Sequence, residues 1–350
     1  MLTGRLSLEE FLIEERKRHA HASGDLNGLI FAIARSCKLI SRQLASGRLA
    51  GPAAPASADE NPARLQETAQ TIFNRLVQSG GRLAGMLSRS AEQPISLPDG
   101  AVTGKYLLLF DPLEGADNLD VGVPAGSIFS IIRAREPGAR PAPEDFLRPG
   151  TEQVCAGYAI YGPATMLVLT VGTGTQGFTL DPLLGEFVLT HPGIKIAERT
   201  RDFSINPANK RFWPPAIRRY VDECVAGESG PRNGDFNMRW VASLVAETHR
   251  ILMRGGVFMY PRDIKDPKKP GRLRLLYEAN PIGLIIEQAG GRASTGRQPI
   301  LDVEPGELHQ RIGFVFGSKN EVERIERYHR EPVEGDMPAQ LFAERTLFRA

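Results

Sequence analysis

The stretch KYLLLFDPLEGADNLDVGVPAGSIFSI, residues 105–131, decides the fold prediction. Its short apolar run YLLLF ends abruptly at Asp111-Pro112, as a buried strand does at its carboxyl end. Gly115 follows and permits a close approach to the backbone. Further strands are predicted, with turn residues between them, at SIFSIIRA, CAGYAIYG, ATMLVLTVG, QGFTL and GEFVLT.

Helical periodicity precedes this block of strands. Ser7 and Glu10 have the spacing of a capping box, which predicts a helix over residues 7–20. Apolar residues then recur at helical spacing from about Asp25 and again over residues 64–79. The N-terminal part of the chain is therefore predicted to place helices against the strands.

A second group of elements follows residue 195. WVASLVAETHRILMRG and LLYEANPIGLIIEQAGG predict helices, whereas GVFMYP and IGFVFGS predict strands. Residues 47–63, rich in Ala, Pro and Gly, predict a surface loop. We therefore expect a layered α/β protein with an N-terminal lobe (1–195), a C-terminal lobe (196–335), an active site between them and a loosely attached tail (336–350).

Composition limits the classes of function. The 350 residues carry a net charge of +2 and no stripe of Lys or Arg, which argues against a nucleic-acid partner. Three widely spaced cysteines favour a reducing compartment, and the charged N-terminus lacks the apolar core of a signal peptide. No apolar run is long enough to cross a membrane. The chain is predicted to be cytoplasmic.

The densest chemistry lies at the end of the YLLLF strand. Asp111 and Glu114 supply two carboxylates and Leu113 a turn carbonyl, which are ligands that Mg²⁺ prefers. The N–H groups after Gly115 would face an anion held beside the cation. This combination predicts metal-assisted hydrolysis of a phosphate ester. An acidic surface turn has the same short pattern, and D-P-x-E-G alone does not exclude it.

The longer string resembles the signature of the class 1 fructose-1,6-bisphosphatase family. The resemblance continues through AGYAIYGPATMLVL, FTLDPLLGEFVLT, FNMRWVASLVAETHRILMRGGVFMYP and GRLRLLYEANPIGLIIEQAGG, and so covers most of the chain. It implies the layered α-β-α-β-α sugar-phosphatase fold. It also implies hydrolysis of the 1-phosphate of fructose 1,6-bisphosphate, in gluconeogenesis or Calvin-type carbon metabolism, with Mg²⁺ or Mn²⁺ as cofactor.

The resemblance also implies roles for individual residues. It gives the metal ligands as Glu92, Asp111, the Leu113 carbonyl, Glu114 and Glu278, and the catalytic residues as Asp111, Glu114 and Glu92. It gives the substrate-binding residues as Glu114, Gly115, Ala116, Asp117, Asn206, Arg239, Tyr260 and Arg272. Without the resemblance, Glu278 would be interpreted as a solvated glutamate, and Arg239 and Tyr260 as a surface charge and a core aromatic.

The resemblance implies partners as well. Arg239 matches an arginine that reaches into a neighbouring subunit, which implies a homo-oligomer and, in much of the family, a homotetramer. Some members bind AMP between their N-terminal helices. The threonines used there are replaced by Ser23 and Asn27, which argues against control by AMP.

Several departures from the family pattern fall on the chemistry. Two acidic positions of the first segment become Leu65 and Thr71, and a carboxylate of the next loop becomes Ala91. Glu114 replaces an aspartate, a displacement of ~1 Å that can cost about a hundredfold in rate. The phosphate-binding serines become Ala116 and Asp117. A carboxylate ~4 Å from a phosphate costs roughly 4 kcal/mol per unit charge at an effective dielectric near 20.

Two interpretations follow from these departures. The first is a working fructose-1,6-bisphosphatase, or a phosphatase of a related sugar bisphosphate, with a rearranged metal site in which Asp117 could be a replacement ligand. The second is a catalytically weak paralogue that binds sugar phosphate or joins active subunits as a regulatory partner.

Overall fold

The computed structural model describes residues 5–18, 24–46, 60–98, 104–266 and 271–331. The seven α-helices in these ranges are α1 (Leu8–Lys17), α2 (Gly24–Ser46), α3 (Glu60–Gln78), α4 (Pro215–Val225), α5 (Leu244–Arg254), α6 (Asn280–Gln288) and α7 (Lys319–Arg330).

Fourteen strands accompany these helices within the same ranges, and they form two large sheets and one small one. Those of the first sheet are β1 (Leu83–Ser88), β2 (Tyr106–Glu114), β3 (Ala125–Arg133), β4 (Gln153–Tyr161), β5 (Thr165–Thr170), β6 (Thr175–Asp181) and β7 (Glu186–Ile194). The remaining strands are β8 (Asp202–Ser204), β9 (Asn237–Met238), β10 (Val257–Tyr260), β11 (Leu273–Arg274), β12 (Arg292–Ser294), β13 (Arg311–Ile312) and β14 (Phe314–Gly317).

The first sheet runs in chain order from β1 to β7. Its strands are antiparallel except for the first pair, because β1 lies parallel to β2 with Ser88 opposite Phe110. The carboxyl ends of β1 and β2 therefore meet at the same edge of the sheet. Strands β2 and β3 are buried along almost their whole length, since both faces of the sheet are covered.

The layers alternate helix, sheet, helix, sheet, helix. Apolar residues of α1, α2 and α3 pack with one face of the first sheet, for example Ile33 and Phe73 against Phe110. The other face packs with α5, α6 and the second sheet, and the far face of the second sheet packs with α4 and α7. The second sheet has the order β12-β14-β10-β8-β9. This arrangement confirms the predicted layered α-β-α-β-α fold.

The element bounds confirm some of the sequence predictions and correct others. Ser7 caps α1 through the complete capping box with Glu10, as predicted. The helix predicted from Trp240 begins instead at Leu244, because Ser243 caps it by accepting from Ala246 N. Helix α3 begins at Glu60, so the end of the predicted 47–63 loop is helical.

Two predictions lie outside the described residues: the rest of the 47–63 loop, residues 47–59, and the tail, residues 336–350. Within the helices that the structure describes, none has both the length and the apolarity needed to cross a bilayer.

Replacing Phe73 with Ala should test the packing of α3 on the first sheet. The Phe73 ring stacks on Phe110 with centroids 4.9 Å apart, and neither side chain is exposed. Because the truncation leaves a cavity, the free energy of unfolding should fall by about 3–5 kcal/mol in urea denaturation. The control Leu183→Ala, at a residue that is 95% exposed, should change it little. A loss below about 1 kcal/mol for Phe73→Ala would contradict this account of the core.

Candidate functional site

The candidate site lies where β1 and β2 end. The main-chain N–H of Arg89 donates to the Phe110 carbonyl at 2.9 Å, which continues the parallel ladder one residue beyond β1. This hydrogen bond places Arg89 beside Asp111, the residue after Phe110 in β2. The pairing of β2 with β3 is irregular between Asp111 and Glu114, where Asp111 faces Ile128 and Glu114 faces Gly126. The irregularity turns the Asp-Pro segment out of the regular ladder.

Asp111 is completely buried. Its Oδ1 accepts a hydrogen bond from the Leu113 N–H at 3.3 Å, whereas its Oδ2 is a buried atom without a hydrogen-bond partner among the described residues. A buried carboxylate with an unsatisfied oxygen is costly unless a cation compensates it. The local structure at Asp111 therefore requires positive charge nearby.

Glu278 brings a second buried carboxylate to the same place. It lies in the π-helical turn Leu275–Ala279 that leads into α6, and it is 4% exposed. The Arg274 N–H donates to its Oε2 at 2.5 Å, which closes the turn. Wide turns of this kind often occur at functional sites, because they re-aim a single side chain. Here the Glu278 carboxylate lies near Arg89, beside Asp111 of β2.

Arg89 lies between the two carboxylates. Its Nε is 3.4 Å from Asp111 Oδ2 and 3.6 Å from Glu278 Oε1. Both distances are those of ion pairs and exceed the usual length of a hydrogen bond. The guanidinium side chain is 35% exposed, while the carboxylate side chains are 0% and 5% exposed. One partly exposed cation therefore bridges two buried anions.

The pKa directions reflect this shortage of positive charge. Burial, and next the charge of Asp111, raise the pKa of Glu278 to about 7, while Arg89 opposes the rise. Burial also raises the pKa of Asp111, against the charge of Arg89. The pKa of Arg89 is raised although burial acts to lower it, because Asp111 and Glu278 stabilise its charge. The pair of carboxylates is only partly neutralised.

The Glu114 carboxylate forms its hydrogen bonds with the start of α5. Its Oε1 accepts from the Leu244 N–H at 3.0 Å, and its Oε2 accepts from the Val245 N–H at 3.1 Å and the Ser243 hydroxyl at 3.2 Å. A carboxylate at a helix N-terminus satisfies free N–H groups and complements the helix dipole. The structure thus places both oxygens of this predicted metal ligand on the start of α5.

The turn after Glu114 has the conformation that the sequence suggested. Gly115 has φ +76°, in the left-handed region, and a short 3₁₀ helix runs from Ala116 to Val121. The Asn118 amide donates to the Ala242 carbonyl at 3.1 Å and holds this helix against the chain before α5. Ala116 is buried and Asp117 is exposed to solvent.

These residues fit a divalent cation in part. Asp111 and Glu278 supply converging carboxylates, and the unsatisfied Asp111 Oδ2 is an oxygen that such an ion would satisfy. However, no group of three or more His, Cys, Asp or Glu side chains is arranged to hold a metal ion in the part of the chain that the structure describes. Of the four predicted carboxylate ligands, only those of Asp111 and Glu278 converge. These two carboxylates fit one cation at the position that faces Arg89.

Glu92, and the residues Leu65 and Thr71 that replace acidic residues of the family pattern, have other contacts than the Asp111–Glu278 pair. The Glu92 side chain is exposed, and the contact of this residue is a 3.3 Å approach of its main-chain carbonyl to His309 Nε2. Leu65 packs against the core, and the Thr71 hydroxyl donates to the Glu67 carbonyl. Two residues of α3 contact the end of β1. The Gln66 amide donates to the Ser90 hydroxyl at 3.2 Å, and the Gln70 side-chain oxygen accepts from the Ser88 hydroxyl.

Of the predicted sugar-phosphate residues in the C-terminal part, Arg272 and Tyr260 lie together, whereas Asn206 and Arg239 contact other residues. The Arg272 guanidinium lies 5.8 Å from the centroid of the Tyr260 ring, and the Trp240 ring lies 6.0 Å from that of Tyr260. The Asn206 side chain accepts from the Ala208 N–H at 3.0 Å and begins a 3₁₀ helix. Arg239 is 55% exposed, with its Nε 3.9 Å from Asp202.

Sequence reasoning missed Arg89, Gln66 and Ser243. The parallel pairing of β1 with β2 brings Arg89, and not Glu92, beside Asp111. Because β1 ends at Ser88, counting residues from the end of this strand could have indicated that Arg89 lies at the site. The contacts of Gln66 and Ser243 depend on helix packing, which the sequence pattern does not specify.

Comparisons with known proteins agree with this architecture. Residues 6–192 match the family model "Fructose-1-6-bisphosphatase, N-terminal domain", and residues 196–330 match "Fructose-1-6-bisphosphatase, C-terminal domain". A class 1 fructose-1,6-bisphosphatase of Hydrogenophilus thermoluteolus is 60% identical over 98% of this chain and 97% of its own length. One from Methylibium petroleiphilum is 58% identical over 99% of this chain and 98% of its own.

A solved structure is also similar. The crystal structure of Leishmania major fructose-1,6-bisphosphatase in holo form superposes with a TM-score of 0.84 and 35% identity, covering 93% of this chain and 100% of that chain. The apo form of the same protein gives a TM-score of 0.82 and 34% identity, with the same coverage.

Replacing Glu114 with Gln should test its role at the start of α5. The amide keeps the shape but loses the charge and one accepting oxygen, so the free energy of unfolding should fall by about 1–3 kcal/mol. Urea denaturation measures the change. The matched control Glu136→Gln, at an exposed residue, should stay within about 0.5 kcal/mol of the parent protein. Equal effects of the two substitutions would contradict the capping role.

The pH dependence of stability should report the Glu278 environment. A carboxyl whose pKa is about 7 when folded and lower when unfolded stabilises the fold below the unfolded pKa, and this contribution is lost as the pH rises through 7. In EDTA, the parent should therefore lose about 2–3 kcal/mol relative to Glu278→Gln between pH 5 and pH 8. Denaturation curves of both proteins at each pH measure this. A constant difference across that range would contradict it.

Proposed function

Since the chain belongs to the class 1 fructose-1,6-bisphosphatase family, we propose that it hydrolyses the 1-phosphate ester of fructose 1,6-bisphosphate to fructose 6-phosphate and phosphate. The observation that carries the proposal is the convergence of Asp111 and Glu278, two buried carboxylates, at the end of β2. The similarity to the bacterial relatives over almost the full chain supports the same activity. Its metabolic setting would be gluconeogenesis or Calvin-type carbon metabolism.

The cofactor in this proposal is one Mg²⁺ or Mn²⁺ ion, held by Asp111, Glu278 and the Leu113 carbonyl. Such an ion withdraws charge from the phosphoryl oxygens and activates the attacking water. Asp111 is well suited to hold it, because β2 and the Leu113 N–H fix the carboxylate before the substrate arrives. Glu278 is fixed in the same way by the Arg274 N–H. Both ligands are therefore preorganised, which lowers the reorganisation needed for catalysis.

The chain's own residues would position the ester between the two sheets. The main chain at Gly115, Ala116 and Asp117 would bind the transferred phosphoryl group, and the left-handed Gly115 lets it approach closely. Glu114 contributes indirectly, because it fixes the start of α5 against this turn. Ser243 belongs to the same contact.

The second phosphate would bind at the group formed by Arg272 and Tyr260. A guanidinium donates two parallel hydrogen bonds to a phosphate, and a tyrosine hydroxyl donates one more. Arg272 is exposed and Tyr260 half-buried, so both can reach a ligand from solution. Asn206 would contact the same end of the sugar.

Arg239 would act across an interface between copies of the chain. Its exposed guanidinium is only loosely paired with Asp202, at 3.9 Å, and can extend beyond its own protomer. The proposed assembly is a homotetramer. AMP control is not proposed, since the Asn27 amide already donates to the Leu12 carbonyl at 2.9 Å and Lys105 pairs with Asp25.

Phosphate release from fructose 1,6-bisphosphate tests the proposed function. With Mg²⁺ or Mn²⁺ present, the parent protein should release phosphate, and Asp111→Ala should reduce the rate on the order of a hundredfold or more. The control Asp302→Ala, at an exposed aspartate far along the chain, should retain the parent rate. Release by the parent no faster than by Asp111→Ala would overturn the proposal. The chain would then be a sugar-phosphate-binding paralogue without turnover.

A further inference from the structure

Arg89 occupies the place where a cation is needed. The Asp111 and Glu278 carboxylates both face its Nε, at 3.4 Å and 3.6 Å, and neither makes a hydrogen bond to it within normal limits. Arg89 Nε and Asp111 Oδ2 are each buried atoms without a hydrogen-bond partner among the described residues. The guanidinium therefore neutralises the pair by proximity and not by a tight, directional contact.

The Arg89 side chain can move away from the two carboxylates. Its main chain is tied to Phe110 at 2.9 Å, but its side chain is 35% exposed and can turn towards solvent while the backbone stays in place. The carboxylates cannot follow, because Leu113 and Arg274 hold them through main-chain N–H groups. A divalent ion with two charges would compensate two carboxylates better than one guanidinium does.

We propose that Arg89 is a built-in cation, which holds the Asp111–Glu278 pair in the metal-free protein and must be displaced when a divalent ion binds. This inference rests on the proposed function only in its choice of ligand pair. It assigns Arg89 a role in setting metal affinity, because its guanidinium partly compensates the Asp111 and Glu278 charges in the metal-free protein.

The exposed carboxylate of Asp117 also acts on the charge of Arg89. Four carboxylates stabilise the Arg89 charge: those of Asp111, Glu278, Glu114 and Asp117. The Glu114 carboxylate is hydrogen-bonded to the start of α5. Asp111 and Glu278 are the pair that would bind the metal ion. Asp117 is exposed, and its charge acts on Arg89 together with those of the buried carboxylates.

Mn²⁺ binding to the full-length protein, measured by calorimetry or by electron paramagnetic resonance, tests the inference without turnover. Arg89→Met removes the competing charge and keeps a side chain of similar length, so it should bind Mn²⁺ at least about tenfold more tightly than the parent. Arg89→Lys keeps the charge and should bind it nearly as weakly as the parent. The control Arg135→Met, at an exposed arginine, should leave the affinity unchanged.

Thermal unfolding gives the second measurement. In EDTA, Arg89→Met should melt at a lower temperature than the parent, because two buried carboxylates are then left without a counter-charge. Mn²⁺ should raise its melting temperature by more than it raises that of the parent. If Arg89→Met does not fold in EDTA, Arg89→Gln, whose amide can donate to one carboxylate, takes its place in both measurements.

An unchanged or weaker Mn²⁺ affinity in Arg89→Met and Arg89→Gln would overturn the inference. Loss of fructose 1,6-bisphosphate binding with the same Mn²⁺ affinity would also overturn it, since Arg89 would then be a substrate contact. Failure of the proposed function is distinguishable: the parent would release no phosphate, while the change in Mn²⁺ affinity between the parent and Arg89→Met would persist.

Discussion

Two buried carboxylates that share one guanidinium are the constraint on which the site depends. Asp111 belongs to the first sheet and Glu278 to the turn before α6, so Arg89 joins two parts of the fold that are distant in sequence. Removing one partner from such a contact leaves an uncompensated buried charge, which is more costly than the contact itself is favourable. The positions of β2 and α6 near the site therefore depend on a cation being present there, whether it comes from the chain or from solution.

Three side chains near the ends of β1 and β2 limit the negative charge beside Asp111: Glu114, Gln66 and Arg89. The extra methylene of Glu114 carries its carboxylate to the first N–H groups of α5, where it stabilises the helix start. Gln66 faces the end of β1 with a neutral amide, and Arg89 adds a positive charge. The Gln66 amide is neutral and the Arg89 guanidinium is positive, so neither of them adds negative charge beside the Asp111 carboxylate.

The fold could be predicted from the sequence to a large extent. The YLLLF run correctly predicted a buried strand but not its end, because β2 continues to Glu114 with irregular pairing after Asp111. The capping box at Ser7 marked the start of α1 correctly. These signals are local: they depend on burial of a continuous apolar run and on one side chain bonding a nearby N–H. The start of α5 was placed too early, because a pattern of apolar residues does not show that Ser243 ends the extended segment.

By itself, the sequence determined the layered α/β class, the family resemblance and the carboxylate at position 111, because apolar periodicity and motif spacing are properties of neighbouring residues. Glu278 followed only from the resemblance, since its own local pattern is that of a solvated glutamate. Only the tertiary structure decided which charges meet. The parallel register of β1 on β2 brings Arg89, and not Glu92, to Asp111, and the packing of α5 draws the Glu114 carboxylate away from that point. Electrostatic energy depends on distances of a few ångströms between residues far apart in the chain, and those distances exist only after the sheets and helices have packed.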